Sequence, residues 1–159
     1  MKKILLYPLT MRSHFDLLLR LFFKFKSNSI LGNIFSRKIF KNYGVQLTRS
    51  ANIDSSIIFP HPTSVIIGEF VTIKEDCKIF QNVTLGLKNP EDGSSLEIKK
   101  KSYPIIEKNV VIYPNSTVVG SITVGENSII GSNSFVDFDV PSNTIVAGNP
   151  ARIVKKVKK

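Results

Sequence analysis

The chain has 159 residues, 42% of them apolar and 21% charged, with one cysteine and a formal net charge of +10. That is one globular domain's worth of chain with enough apolar residues for a core, which excludes a disordered chain. A single cysteine excludes an internal disulfide, and no run approaches the roughly 18 uncharged apolar residues that would span a bilayer.

The charge is unevenly spread. Residues 1–44 carry nine Lys/Arg against one Asp, residues 45–150 carry eight against eleven acids, and residues 151–159 carry five bases and no acid. The basic character therefore belongs to the two ends. Met1-Lys2-Lys3 is basic, but Ile4-Leu5-Leu6-Tyr7-Pro8 is too short an apolar stretch for a signal peptide, so a cytoplasmic setting is expected.

In chain order, the first predicted element is helical. Residues 15–26 are dense in Leu and Phe with interspersed bases, and Ser13 or Asn28 can cap neighbouring turns. A second short helix is expected from Ile30 to Lys41, ending near Gly44. Two readings stand side by side. The segment caps the open first coil of a repeat domain that begins near residue 45, or residues 1–28 make peripheral contact with an anionic membrane face, which would place the chain at the inner membrane surface, and the two can coexist. The bases are mixed with Leu and Phe that favour burial and no nucleic-acid motif appears, so nucleic acid is not an expected partner.

A six-residue beat then runs through the chain. Aliphatic or aromatic residues recur at Leu47, Ile53 and Phe59, at Ile67, Ile73, Ile79 and Leu85, and at Ile106, Ile112, Val118, Val124, Ile130 and Val136. Small or β-branched residues follow four positions later, among them Val71, Cys77, Val83, Val110, Ser116, Ile122, Ser128 and Ser134. Six is too long for the alternation of a strand and does not fit a helix. It fits a short strand, a turn and another short strand, coil upon coil, the pattern of a parallel β-helix. Three hexads make a triangular coil, so thirteen give a prism of slightly more than four coils, roughly 20 Å long. The first aliphatic of each hexad points inward. Cys77 falls on the small inward position, where it packs.

The beat departs from six twice. From Phe59 to Ile67 the spacing is eight, and His61 lies in that stumble. A bulge that re-aims the chain explains the two extra residues, and bulges favour active sites. From Leu85 to Ile106, fifteen residues are inserted; Lys88 to Ser95 is polar and turn-rich, and Lys99-Lys100-Lys101 comes next. A loop of this length projects from the prism and can wall a groove. Its lysines form a solvated face or meet phosphates.

The division is thus a basic amphipathic helical segment over 1–44, a repeat domain over 45–154 with a loop at 87–103, and a basic tail over 155–159.

Three stretches carry a family resemblance: residues 59–69 (Phe-Pro-His-Pro-Thr-Ser-Val-Ile-Ile-Gly-Glu), residues 81–86 (Gln-Asn-Val-Thr-Leu-Gly), and the ending from Val140 to Val154 with Ala147-Gly148-Asn149-Pro150-Ala151-Arg152 at its centre. Over about residues 44–156 the chain resembles the hexapeptide-repeat acyltransferases, most closely the serine acetyltransferase-like branch and related O-acetyltransferases of bacterial surface-polysaccharide synthesis. The resemblance implies an all-β fold, a left-handed parallel β-helix with a short helical N-terminus and one extruded loop, although parallel crossovers are otherwise right-handed. It also implies a homotrimer, acetyl-CoA as co-substrate in grooves between neighbouring prisms, and a histidine base at the position of His61. By the same resemblance Gln46 stands where the base is oriented, a role its side-chain oxygen or a backbone carbonyl can fill, the cofactor arm runs past Gly86, Pro114 and Ser132, and Arg152 can meet the nucleotide phosphates, with the tail Lys155–Lys159 either solvated or joining it.

The departures from the serine branch shape the expected acceptor. Pro60 stands where an aspartate precedes the base, Gln46 where an aspartate orients it, and Ser102-Tyr103 where an Arg-His pair precedes the proline after the loop. A buried, unpaired amino-acid charge costs several kcal/mol. The leading expectation is therefore acetyl transfer to a sugar hydroxyl, free or lipid-linked, in capsule, exopolysaccharide or lipopolysaccharide synthesis. The second is transfer to serine or another small metabolite, and the third a scaffold without catalysis.

The chemistry itself needs a base, because an alcohol does not ionise at neutral pH. A neutral imidazole takes the proton as the oxygen attacks a thioester, a contribution of ~10²–10⁴ in rate. The other histidine, His14, lies in the Leu/Phe-rich segment. Two histidines, one outside the repeat, do not make a catalytic zinc site, which typically takes three ligands. With Cys77 inward, direct transfer in a ternary complex is expected rather than an acyl-enzyme.

Overall fold

The structure is a computed structural model in which residues 11–89 and 95–157 are described. Residues 1–10, where the signal-peptide question lies, and parts of the expected loop and tail (90–94 and 158–159) are outside the described residues.

Two helices come first, α1 (Met11–Phe25) and α2 (Ser29–Tyr43). Strands succeed them at the hexads: β1 (Gln46–Leu47), β2 (Asn52–Ile53), β3 (Ile66–Ile67), β4 (Thr72–Ile73), β5 (Lys78–Ile79) and β6 (Thr84–Gly86). After a loop that contains a short helix, α3 (Leu96–Lys101), come β7 (Ile105–Ile106), β8 (Val111–Ile112), β9 (Thr117–Val119), β10 (Thr123–Val124), β11 (Ile129–Ile130) and β12 (Phe135–Val136). A hairpin of β13 (Thr144–Gly148) and β14 (Ala151–Lys156) ends the described chain. Lys155 and Lys156, read from the sequence as tail, are still in β14.

The strands stack into three parallel sheets, the faces of a left-handed prism: β1-β3-β6-β9-β12, then β2-β4-β7-β10, then β5-β8-β11-β13 with β14 antiparallel at its edge. Their pairing aligns the inward residues of the hexads. Leu47, Ile67, Leu85, Val118 and Val136 form one column. Ile53, Ile73, Ile106 and Val124 form a second, and Ile79, Ile112, Ile130 and Val146 a third. The most open of these is Ile53, at 6% exposure. Each aliphatic side chain so buried contributes ~1.5–3 kcal/mol.

Two of the three corners turn through left-handed backbone. Ser64, Asn82, Asn115 and Asn133 occupy one, and Asp76, Asn109, Asn127 and Asn143 the other, with φ between 52° and 61°. Asn and Asp tolerate this region through short side chains that hydrogen-bond locally. Here the amides also link the coils: Asn82 Nδ2 donates to Asn115 Oδ1 (2.9 Å) and Asn109 Nδ2 to Asn127 Oδ1 (3.1 Å). The third corner carries the extruded loop. The loop's return is pinned by Tyr103, whose Cε1 lies 2.5 Å from where a Cβ on Gly68 would stand, so only glycine fits beneath the ring.

The helices close the open first coil, as one of the two readings expected. Phe15, Leu18, Leu19 and Phe22 recur at helical spacing and are buried in the prism's core, with the Phe15 ring edge-on to Phe59 at 5.5 Å. Asn28 caps α2 by accepting from Ile30 N and Leu31 N, and Gly44 ends it in left-handed backbone. Arg49 Nε donates to the Lys26 carbonyl (2.8 Å) and Ser36 Oγ to that of Leu47 (2.7 Å), tying helices to coil. The apolar face of α1 is thereby taken up by the core; among its described side chains Leu17 is the large apolar one left exposed. No helix among the described residues is long and apolar enough to cross a membrane.

The inward–outward pattern can be tested at one strand and one cysteine. Ile79→Ala should destabilise the fold by ~2–5 kcal/mol in chemical denaturation, while Lys78→Thr on the outer side of the same strand stays within about 0.5 kcal/mol. Equal effects would disprove the register. Cys77 is fully buried, its Sγ 3.1 Å from the Glu107 carbonyl, and burial pushes its thiol up to about 11. An acid whose folded pKa is raised contributes stability fully below its unfolded value and loses it as pH rises towards the folded one. Iodoacetamide should therefore leave the native thiol unmodified at pH 8, and stability should decline from about pH 9 upward. Rapid native alkylation would refute the inward placement.

Candidate functional site

The stumble in the repeat lies at the corner between the third and first faces. In the lower coils, three residues separate inward positions here, as in Phe80-Gln81-Asn82 between Ile79 and Val83. In the first coil there are five, Pro60 to Ser64, between the buried Phe59 and Val65. The extra pair bulges outward and carries His61 into solvent. Pro60 is fixed in φ, and Pro62 holds His61 away from helical backbone. The His61 carbonyl accepts from Thr63 N at 2.8 Å, which tightens the bend. The histidine is exposed, yet its backbone is held.

Below it the corner is aromatic. The His61 ring lies 6.1 Å from Phe80 at a tilt of 55°, and Phe80 stacks on Tyr113 at 5.0 Å and 19°. Three rings from successive coils thus line one edge. The sequence reading missed Phe80 and Tyr113. Their signal was the position just after the inward aliphatic, otherwise held by Pro60, Gly131 and Ala147.

Pro114 and Ser132 belong to this same edge. Asn82 N donates to the Thr63 carbonyl, Asn115 N to that of Gln81 and Asn133 N to that of Pro114, which stacks Thr63, Gln81, Pro114 and Ser132 in one column. Gln46 sits on the outer side of β1, paired with Ile66, the first strand residue after the His61 bend. Its side chain lines a pocket of about 250 Å³ with Ser36, Arg37 and Phe40. Gly86 ends β6 at the far side of the first face, towards the loop corner. A Cβ built there meets nothing within 4 Å. No contact within the protomer requires glycine, so the missing side chain leaves open access to the backbone. Arg152 lies on the exposed edge strand β14, paired with Ala147 at the end of this same edge.

Two larger grooves lie on the second face. One, of about 590 Å³, is lined by residues including Phe23, Lys26, Asp54 and Lys74. Lys26 donates to the Ala51 carbonyl, Lys74 pairs with Glu107 at 2.9 Å, and Asp54 accepts from Ser56, so these charges serve the fold. Hydrogen bonds from Ser56 hold the Asp54 carboxyl below the usual range. The other groove, about 370 Å³, includes Lys100, Lys101 and Tyr103, with the Lys100 ammonium 5.9 Å from the Phe70 ring. Neither groove includes His61. Among the described residues no cluster of His, Cys, Asp and Glu could hold a metal ion.

Comparison with known proteins bears on what this edge does. The family described as bacterial transferase hexapeptide (six repeats) matches residues 103–137. A serine acetyltransferase of Buchnera aphidicola subsp. Schizaphis graminum is 38% identical over 116 residues, 73% of this chain and 42% of that protein. One of Bacillus subtilis is 38% identical over 120 residues, 73% of this chain and 52% of that protein. A solved serine acetyltransferase in complex with CoA superposes with a TM-score of 0.74 at 29% identity, covering 94% of this chain and 58% of that one. The chain thus spans about half the length of the curated relatives it matches.

These findings correct the expected acceptor. The sequence reading placed a sugar, free or lipid-linked, and surface-polysaccharide synthesis ahead of serine, because Pro60, Gln46 and Ser102-Tyr103 lack charge. The relatives are serine acetyltransferases, so that leading expectation is overturned in favour of its alternative. The physical error was to count charges at a few positions, whereas neutral hydrogen-bonding groups also stabilise a charged form. Repeat, prism and relatives agree: the chain belongs to the hexapeptide-repeat acyltransferase family.

Proposed function

We propose that this chain is an O-acetyltransferase that moves the acetyl group of acetyl-CoA to the hydroxyl of serine. The observation that carries the reading is His61, the histidine of the repeat domain, held outward on a proline-flanked bulge in a chain 38% identical to serine acetyltransferases. One ring nitrogen of His61 takes the hydroxyl proton as the serine oxygen attacks the thioester carbonyl. The tetrahedral intermediate then collapses, the carbon–sulfur bond breaks, and the imidazolium returns its proton to the departing thiolate. The buried, protonated Cys77 is out of reach as a nucleophile, which supports direct transfer without an acyl-enzyme.

The remaining roles are assigned within the same reading. A hydrogen-bond acceptor fixes the tautomer of the His61 ring, either the Gln46 side-chain oxygen or a backbone carbonyl. A backbone N–H beside Gly86 faces the developing oxyanion, where no side chain intrudes. The cofactor arm runs along Pro114 and Ser132, and Arg152 meets its phosphates. His61 and Gly86 lie at opposite ends of the first face, an arrangement that favours a site completed between copies and hence a homotrimer. With Pro60, Ser102 and Tyr103 in place of charged groups, serine is held by fewer ionic contacts than the resemblance would supply. The setting is cytoplasmic, with acetyl-CoA at hand.

Removing the base is the direct test. With acetyl-CoA and serine, His61→Ala should lower kcat about 10²–10⁴-fold while leaving the far-UV circular dichroism unchanged; near-normal thiol release would end the assignment. Gly86→Val separates binding from folding. The position is open and β-branched residues suit strands, so melting temperature should hold or rise. CoA affinity, measured by calorimetry, should fall roughly tenfold or more, and unchanged affinity would remove Gly86 from the cofactor path.

A further inference from the structure

One buried side-chain atom among the described residues is without a hydrogen-bond partner: Gln81 Oε1. A buried carbonyl oxygen left unpaired is costly and rare, and it calls for a specific reason. Its position is informative. Gln81 stands in the column of the His61 corner, one coil below Thr63 and one above Pro114. It directly succeeds Phe80, whose ring meets that of His61. The adjacent backbone donors are engaged, Asn82 N with the Thr63 carbonyl and Asn115 N with the Gln81 carbonyl, so neither is turned to Gln81 Oε1.

We propose that Gln81 is a substrate-binding residue whose side-chain oxygen accepts a hydrogen bond from an amide N–H on the arm of acetyl-CoA. The proposal rests on the acetyltransferase reading above and adds a residue to it. An amide N–H is the matching chemistry. It is neutral, so it can be stripped of water at a half-buried position more cheaply than the ammonium group of an amino acid. The final side-chain torsion of Gln is broad and two-fold, so the oxygen can turn towards the groove without moving the backbone. Pro114 and Ser132 continue the same column along which the arm is assigned.

Gln81→Met keeps the length of the side chain and removes the acceptor. Calorimetry should show CoA binding weakened roughly tenfold, with the affinity for the adenosine bisphosphate fragment of CoA, which lacks the amide arm, unchanged. The KM for serine should not move. Without ligand the variant should melt at the same temperature as the wild type or higher, because an unpaired buried oxygen has been removed. Four results overturn the proposal. A lower ligand-free melting temperature would give Gln81 a structural partner. Equal losses for CoA and the fragment would give a general distortion. A raised serine KM with CoA affinity intact would make the acceptor's ammonium the donor. Unchanged CoA binding would give Gln81 no part in it. Wild-type protein that does not bind CoA would overturn the acetyltransferase reading itself, which keeps the two failures apart.

Discussion

Everything in this molecule depends on the vertical contact between coils. A strand of two residues has one inward side chain and cannot bury it alone. Burial comes from the same position one coil above and below, as in Ile79 against Ile112 and Ile112 against Ile130. The repeat must therefore hold its register in every strand, since a slip of one residue would turn each aliphatic into solvent. It must also be closed at its ends. α1 does so at the first coil with four apolar side chains, and the β13–β14 hairpin forms the last edge of the third face.

The same constraint decides where the chain is free to vary. An inserted residue inside a strand would break a column, whereas one at a corner only lengthens a turn. Both departures from the hexad fall at corners: two extra residues around His61, and the fifteen-residue insertion between Leu85 and Ile106. The scaffold is thus rigid where it packs and permissive where it meets solvent, the usual division of labour between core and functional loop. His61 gains exposure without losing definition, because the strands on either side of its bend are locked by the columns.

Much of the fold could be read directly. The inward positions, the stumble at His61, the loop and the helical N-terminus all come from spacing, because periodicity is a local record of which side chains face inward. What spacing does not record is which outward residues meet. Phe80 and Tyr113 are separated by thirty-three positions and read as scattered surface aromatics, yet stacking brings them together beside His61. Gln81 stood out only as the first residue of a family-like stretch, since its unpaired oxygen is a property of its surroundings and not of its spacing. The acceptor was misread for a related reason. Charge missing at Pro60, Gln46 and Ser102-Tyr103 says what those positions do not do, and the similarity to serine acetyltransferases carried more information.

Cys77 and His61 show how one scaffold sorts reactive groups. Both fall in the upper coils of the prism, and each is a side chain with nucleophilic or basic chemistry. The hexad puts the thiol at a small inward position, where burial holds it protonated against the Glu107 carbonyl. Two extra residues put the imidazole outside, where its ring can reach a bound molecule. The difference is not the intrinsic reactivity of the groups but the phase of the repeat at which each falls. A thiol in the bend would offer a covalent acyl carrier; an imidazole there offers proton transfer with nothing attached. That phase is what the proposed direct transfer, without a covalent acyl-enzyme, builds on.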